Sequence, residues 1–174
     1  MCIRDSLNNA AGRVSATSLQ VQAGSLDNSS GHLVARDSLN MGVGAALLNH
    51  SGEILSQDVR LTAGTLDNAQ GRVQGDNLLK IDSGALSNRN GTLASGQALQ
   101  LSSADLNNQG GQLSAGGTLQ LRAGRVDNSA GGRINGKALS ASVTGLDQHN
   151  DGRLYSQGDV LSLIHISEPT RPRL

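Results

Sequence analysis

The chain has no tryptophan and no phenylalanine, and Tyr155 is its single tyrosine. Aromatic side chains supply much of the buried area of an ordinary compact domain. A conventional globular core is therefore excluded, and burial has to come from Leu, Val, Ile and Ala spread evenly along the sequence. Proline is confined to Pro169 and Pro172, which leaves the rest free for strands and tight turns and argues against a proline-rich linker. The single cysteine, Cys2, has no partner for an internal disulfide. Fourteen basic residues balance fourteen acidic ones, with no run of like charge. A nucleic-acid or anionic-membrane surface needs a basic stripe, so neither partner is expected. No apolar run reaches the roughly 18 residues that a membrane-spanning helix requires, so no membrane insertion is expected, and no apolar signal core follows Met1.

What is present is a repeat. Copies open at Leu7, Leu26, Leu47, Leu66, Leu86, Leu106, Val126 and Leu146, with gaps of 19, 21, 19, 20, 20, 20 and 20 residues. A fixed period in this range marks an architecture in which each unit buries its apolar face against its neighbours. Within each copy the apolar positions alternate with polar ones, as in Leu19-Gln20-Val21-Gln22-Ala23 and Leu119-Gln120-Leu121-Arg122-Ala123. Period two is the strand signal with one face buried. A second short segment follows a glycine (Arg72-Val73-Gln74), and a third centres on the opening residue. Each copy thus reads as one coil of three short strands and three corners. So short a coil has no room to pair with itself, but it can pair in parallel and in register with the next. The expected fold is all-β: a right-handed parallel β-helix of about eight coils of 19–21 residues, the hand following the preference of parallel crossovers.

Two columns support the stacking. Asn9, Asn28, Asn49, Asn68, Asn88, Asn108 and Asn128, then Gln148, lie two places after each opening residue. At strand spacing their amides can hydrogen-bond along the column, so a structural ladder is expected at a corner. Gly12, Gly31, Gly52, Gly71, Gly91, Gly111, Gly131 and Gly152 follow, and a glycine at a fixed corner suggests positive φ. Gln20, Asn40, Arg60, Lys80, Gln100, Gln120 and Ser140 form an outward polar column. Length varies near Arg36–Ser38, Gly42–Ala46, Gly132 and Asn150-Asp151, which reads as corner bulges.

Signals for chemistry are weak. Asp27, Asp67, Asp127 and Asp147 share a column interrupted by Leu48, Ser87 and Asn107, so it reads as a solvated turn position and not as paired acid and base. His32, His50 and His149 have no spacing that converges metal ligands. The calcium-binding nonapeptide, a nucleophile elbow and a phosphate-cradling loop are all lacking. No catalytic residue, cofactor or metal is expected, and the chain reads as a non-enzyme.

The unit Leu-Asp-Asn-x-x-Gly-x-Leu followed by Leu-x-Leu-x-Ala-Gly resembles the filamentous haemagglutinin repeat. Clear copies are Leu26-Asp27-Asn28-Ser29-Ser30-Gly31-His32-Leu33 and Val126-Asp127-Asn128-Ser129-Ala130-Gly131. The resemblance covers residues 7–161. It implies a β-helical shaft of a large exoprotein of Gram-negative bacteria, secreted or held at the cell surface and exported through an outer-membrane two-partner transporter. It also implies a role in adhesion or in contact-dependent growth inhibition, with the shaft presenting a distal adhesive or toxic module. An alternative is that the repeat face itself binds a host or neighbour-cell glycan or receptor; a β-helical glycan-processing enzyme is a third and weaker reading. Residues 1–6 and 162–174 match no repeat position and resemble translated sequencing-adapter sequence, so both are expected to be non-native flanks of a fragment of a longer array.

Overall fold

The computed structural model describes residues 6–158 and 160–164, with side chains as far as Val160. Most of the two flanks expected to be non-native therefore lies outside the described residues. All regular structure among these residues is strand: β1 Ser6–Asn8, β2 Arg13–Ala23, β3 Ser25–Asp27, β4 His32–Leu48, β5 Glu53–Asp67, β6 Arg72–Ser87, β7 Thr92–Ser95, β8 Ala98–Asn107, β9 Gln112–Asp127, β10 Arg133–Asp147, β11 Arg153–Ser156 and β12 Val160–Ile164. Every pairing is parallel and joins one coil to the next, as in Leu33↔Ile54, Ile54↔Val73 and Val73↔Leu93. The result is a β-solenoid of eight stacked coils, close to 40 Å long at about 4.8 Å per coil.

Three faces run along the rod. The first carries Leu33, Ile54 and Val73 inward, the second Leu39, Val59 and Leu79, and the third Leu47, Leu66 and Leu86. These nine side chains are at most 2% exposed, because each packs against its equivalents above and below and against the other two faces. Alternation puts one residue in and the next out, so aliphatic residues of modest size fill the interior. Leu7 (37%) and Val160 (47%) are exposed where the first and last described coils lack a described neighbour.

The sequence predicts three short strands per coil. In the structure strands such as β4, with 17 residues, continue round two of the three corners. They do so through bulges, as between Val34 and Ser38 and between Val43 and Ala46. A bulge bends a strand without ending its ladder, so the main interruption is the corner that carries the asparagines. Pairing also extends past the last legible repeat position, with Ala141↔Ser162, Ser142↔Leu163 and Val143↔Ile164. A parallel ladder is made by backbone groups and does not require a repeat signature in the side chains.

Candidate functional site

The asparagine corner is the most regular part of the molecule. The Nδ2 of Asn9 donates to Oδ1 of Asn28, and the same bond links Asn28 to Asn49, Asn49 to Asn68, Asn68 to Asn88, Asn88 to Asn108 and Asn108 to Asn128, at 2.7–2.8 Å. From Asn28 to Asn128 these residues are wholly buried. Each Nδ2 also reaches backbone carbonyls; that of Asn68 donates to Gly71 and Thr92. An amide has both a donor and an acceptor, so a column of them satisfies itself without water.

Gln148 is not part of this ladder. Asn128 Nδ2 keeps the carbonyl bond that the other rungs also make, here to Arg153, but donates to no amide of the next coil, and Gln148 Nε2 is buried without a partner. Glutamine is one methylene longer, and the eighth corner carries an extra residue in His149-Asn150-Asp151. The seventh corner carries an extra residue too, Gly131, and Asn128 keeps its place, so the added methylene is what distinguishes Gln148.

The glycine column is corrected in two respects. Positive φ falls on the residue before the glycine: Ala11, Ser30, Ser51, Gln70, Asn90 and Gly110, each between 52° and 63°. Gly12, Gly31, Gly52, Gly71, Gly91, Gly111 and Gly152 have no positive φ. What demands glycine at Gly71 is space. A Cβ there would sit 2.5 Å from Asn68 Oδ1 and well inside contact distance of the Asn49 carbonyl of the preceding coil. The glycine lets the ladder amide and the neighbouring backbone approach. Secondly, Gly132 and not Gly131 occupies this position in the seventh coil: it lies against Asn128 Oδ1, and its carbonyl accepts from Arg153 N. Gly131 is an inserted residue with φ 80° and open space around its Cα.

The aspartate column works on the same corner. Asp27, Asp67, Asp127 and Asp147 each accept from the backbone N–H two residues on, as do Asn8 and Asn107. These are Asx turns that start the corner. At Asp27 the Ser29 hydroxyl and amide, with His50 nearby, hold the carboxyl below the ordinary aspartate range. At Asp147 hydrogen bonds from His149 do the same. His50 Nε2 lies 2.6 Å from Asp67 Oδ2, and His32 Nδ1 lies 2.9 Å from Glu53 Oε2. Both pairs are half exposed and bridge adjacent coils at the surface, where such pairs contribute little. Among the described residues no group of three or more His, Cys, Asp or Glu is placed to hold a metal.

The outward column Gln20, Asn40, Arg60, Lys80, Gln100, Gln120 and Ser140 is in register along the second face. The corner between the first and second faces is different: its length varies. Two residues turn it in the second coil (Arg36, Asp37) and the fourth (Asp76, Asn77), but one turns it in the third (Gln57) and seventh (Lys137). Where a short corner lies between longer ones, the surface is notched. The notch at Gln57 is a groove of about 450 Å³. At Lys137 the surface holds adjoining hollows of about 480 and 340 Å³, the second lined by Asn135 and Tyr155.

A model of the haemagglutinin repeat family matches residues 5–102, 72–136 and 119–164, which together span the coils. The chain belongs to the haemagglutinin repeat family. Membership points to a structural or adhesive role within a large secreted protein. No curated protein and no solved structure matches the chain. Among the described residues no helix is long and apolar enough to cross a membrane. The features that distinguish one coil from another lie on the outside.

Proposed function

We propose that the segment is a shaft: a stiff spacer that holds an adhesive or toxic module of its parent protein away from the producing cell. The observation that carries this reading is the unbroken amide ladder from Asn9 to Asn128 inside a uniformly parallel stack. Such a stack adds fixed length per coil and resists bending, because every coil is bonded to both neighbours along three faces. Export through an outer-membrane two-partner transporter and display on a Gram-negative surface fit a chain built of like coils, each paired with the next. Contact-dependent inhibition and adhesion are both compatible with it, since either needs reach.

The test is to delete or duplicate whole coils within the parent gene, cutting at equivalent asparagine corners. Reach measured by electron microscopy should change by about 4.8 Å per coil. Delivery to a neighbouring cell should fall as coils are removed, while secretion stays intact. A parent whose delivery is insensitive to coil number, but lost when surface residues of these coils are changed, would exclude the spacer reading.

A further inference from the structure

The amide ladder is interrupted at one plane of the stack, and that plane differs from the rest in more than its rung. From the first coil to the seventh, each ladder Nδ2 crosses to the next coil by two bonds, one to an Oδ1 and one to a backbone carbonyl. Asn9 reaches Asn28 and the His32 carbonyl, Asn68 reaches Asn88 and the Thr92 carbonyl, and Asn108 reaches Asn128 and the Arg133 carbonyl. Between the seventh and eighth coils the ladder crosses by a single bond, from Asn128 to the Arg153 carbonyl. Gln148 Nε2 is closed off from solvent without a partner. Opening an inner plane gives up two ladder bonds. Opening this one gives up a single bond and lets water reach a donor that the closed stack leaves unpaired.

The backbone around this plane is looser too. From Gly12 to Gly111 each corner glycine N–H closes its turn on the asparagine carbonyl at 2.9–3.1 Å. In the seventh corner that bond runs from Gly132 to Ser129, and Gly152 of the eighth corner has no counterpart. Two consecutive non-glycine residues there, Asn150 and Asp151, take φ 51° and 64°, a region that residues with a Cβ adopt less readily than glycine. At the opposite corner Gln157 N reaches the Gly136 carbonyl at 3.4 Å, where the equivalent Gly96 N lies 3.0 Å from the Gly75 carbonyl. The hollows of about 480 and 340 Å³ beside Lys137 leave that edge thinly packed, and Ser156 Oγ bridges it to the Lys137 carbonyl. We propose that the plane between the seventh and eighth coils is a joint: it parts as a local opening ahead of every other plane among the described coils, and gives the rod a place to yield. This deepens the shaft reading and rests on it for its purpose, since stiffness then runs from rung to rung and stops where glutamine replaces asparagine. Opening is read within this chain, so its failure would leave the dependence of reach on coil number untouched.

The test is amide hydrogen exchange on the full chain, resolved by NMR, comparing the two outermost described planes. Arg153 N donates to the Gly132 carbonyl across the last plane and His32 N to the Gly12 carbonyl across the first, both at 2.8 Å. Fraying of ends alone would leave the two equally protected. After correction for intrinsic rates, Arg153 should exchange about tenfold faster than His32, the worth of one net hydrogen bond. Gln148→Asn should slow Arg153 by about the same factor and leave His32 unchanged. Asn68→Gln should move the joint inward: Arg72, whose N–H donates to the Gly52 carbonyl at 2.8 Å, should then exchange faster while His32 does not. The proposal is overturned if Arg153 exchanges as slowly as His32, if Gln148→Asn leaves the Arg153 rate unchanged, or if Arg72 stays as protected in Asn68→Gln as in the unaltered chain.

Discussion

Two corners of the same coil obey opposite rules. At the asparagine corner the side chains repeat almost without change, the amides are fully buried, and each is bonded to the next at 2.7–2.8 Å. At the corner between the first and second faces, composition and length both vary, from Arg36-Asp37 to Gln57 to Asp76-Asn77. The reason is where each corner puts its polar groups. The first turns its amides into the interior, where an unpaired donor or acceptor is costly, so every coil must supply the same group at the same height. The second turns most of its polar groups to water, and a residue can be added or removed there while the flanking strands stay in register. The regular corner carries stability; the irregular one is free to acquire a surface.

Substitutions at the two corners should separate these roles. The largest effect is expected at Gly71→Ala, which drives a Cβ against the Asn49 carbonyl and Asn68 Oδ1. A loss of about 4 kcal/mol or more is expected in urea denaturation. Gly44→Ala meets backbone atoms only at 3.8 and 3.9 Å and should change stability by no more than about 0.5 kcal/mol. Next comes Asn68→Ala, which strands the Asn49 donor and the Asn88 acceptor inside the stack. About 3 kcal/mol is expected, read by the same denaturation. Gln148→Asn works in the opposite direction: by giving Asn128 a ladder partner and removing the unpaired Nε2, it should stabilise by about 1 kcal/mol, seen as a higher melting temperature. Smallest of all should be the glycine insertion after Gln57, with a change below about 0.5 kcal/mol. A large loss there would erase the distinction between the corners.

Much of the fold is written in the spacing. Alternation such as Val59-Arg60-Leu61-Thr62-Ala63 sets which side chains face inward, and a residue type that returns every coil can only be stacked on itself. The asparagines were legible for that reason. The cause of the glycine column was not. It lies in the carbonyl of the preceding coil, which no single copy contains, while the positive φ sits on Ser30 or Gln70, residues with no glycine signature. Choosing between Gly131 and Gly132 required the register of the sheet. Gln148 looks like a conservative change by chemistry, yet its added length takes it out of the column. The notches were hidden by compensation. In the seventh coil the residue missing at Lys137 is balanced by the inserted Gly131, so the gap from Val126 to Leu146 remains 20. The short third-coil corner does leave a trace in its gap of 19, but that number does not say which corner lost the residue.

The account rests on the amide ladder, and side-chain hydrogen exchange reads it directly. The Nδ2 protons of Asn28, Asn49, Asn68, Asn88 and Asn108 should exchange as slowly as the backbone amides of Leu66 and Leu86 beside them, opening only with the whole stack. Those of the exposed Asn40 should exchange at the rate of a free amide. Ladder protons that exchange as fast as Asn40, while the neighbouring backbone amides remain protected, would contradict it.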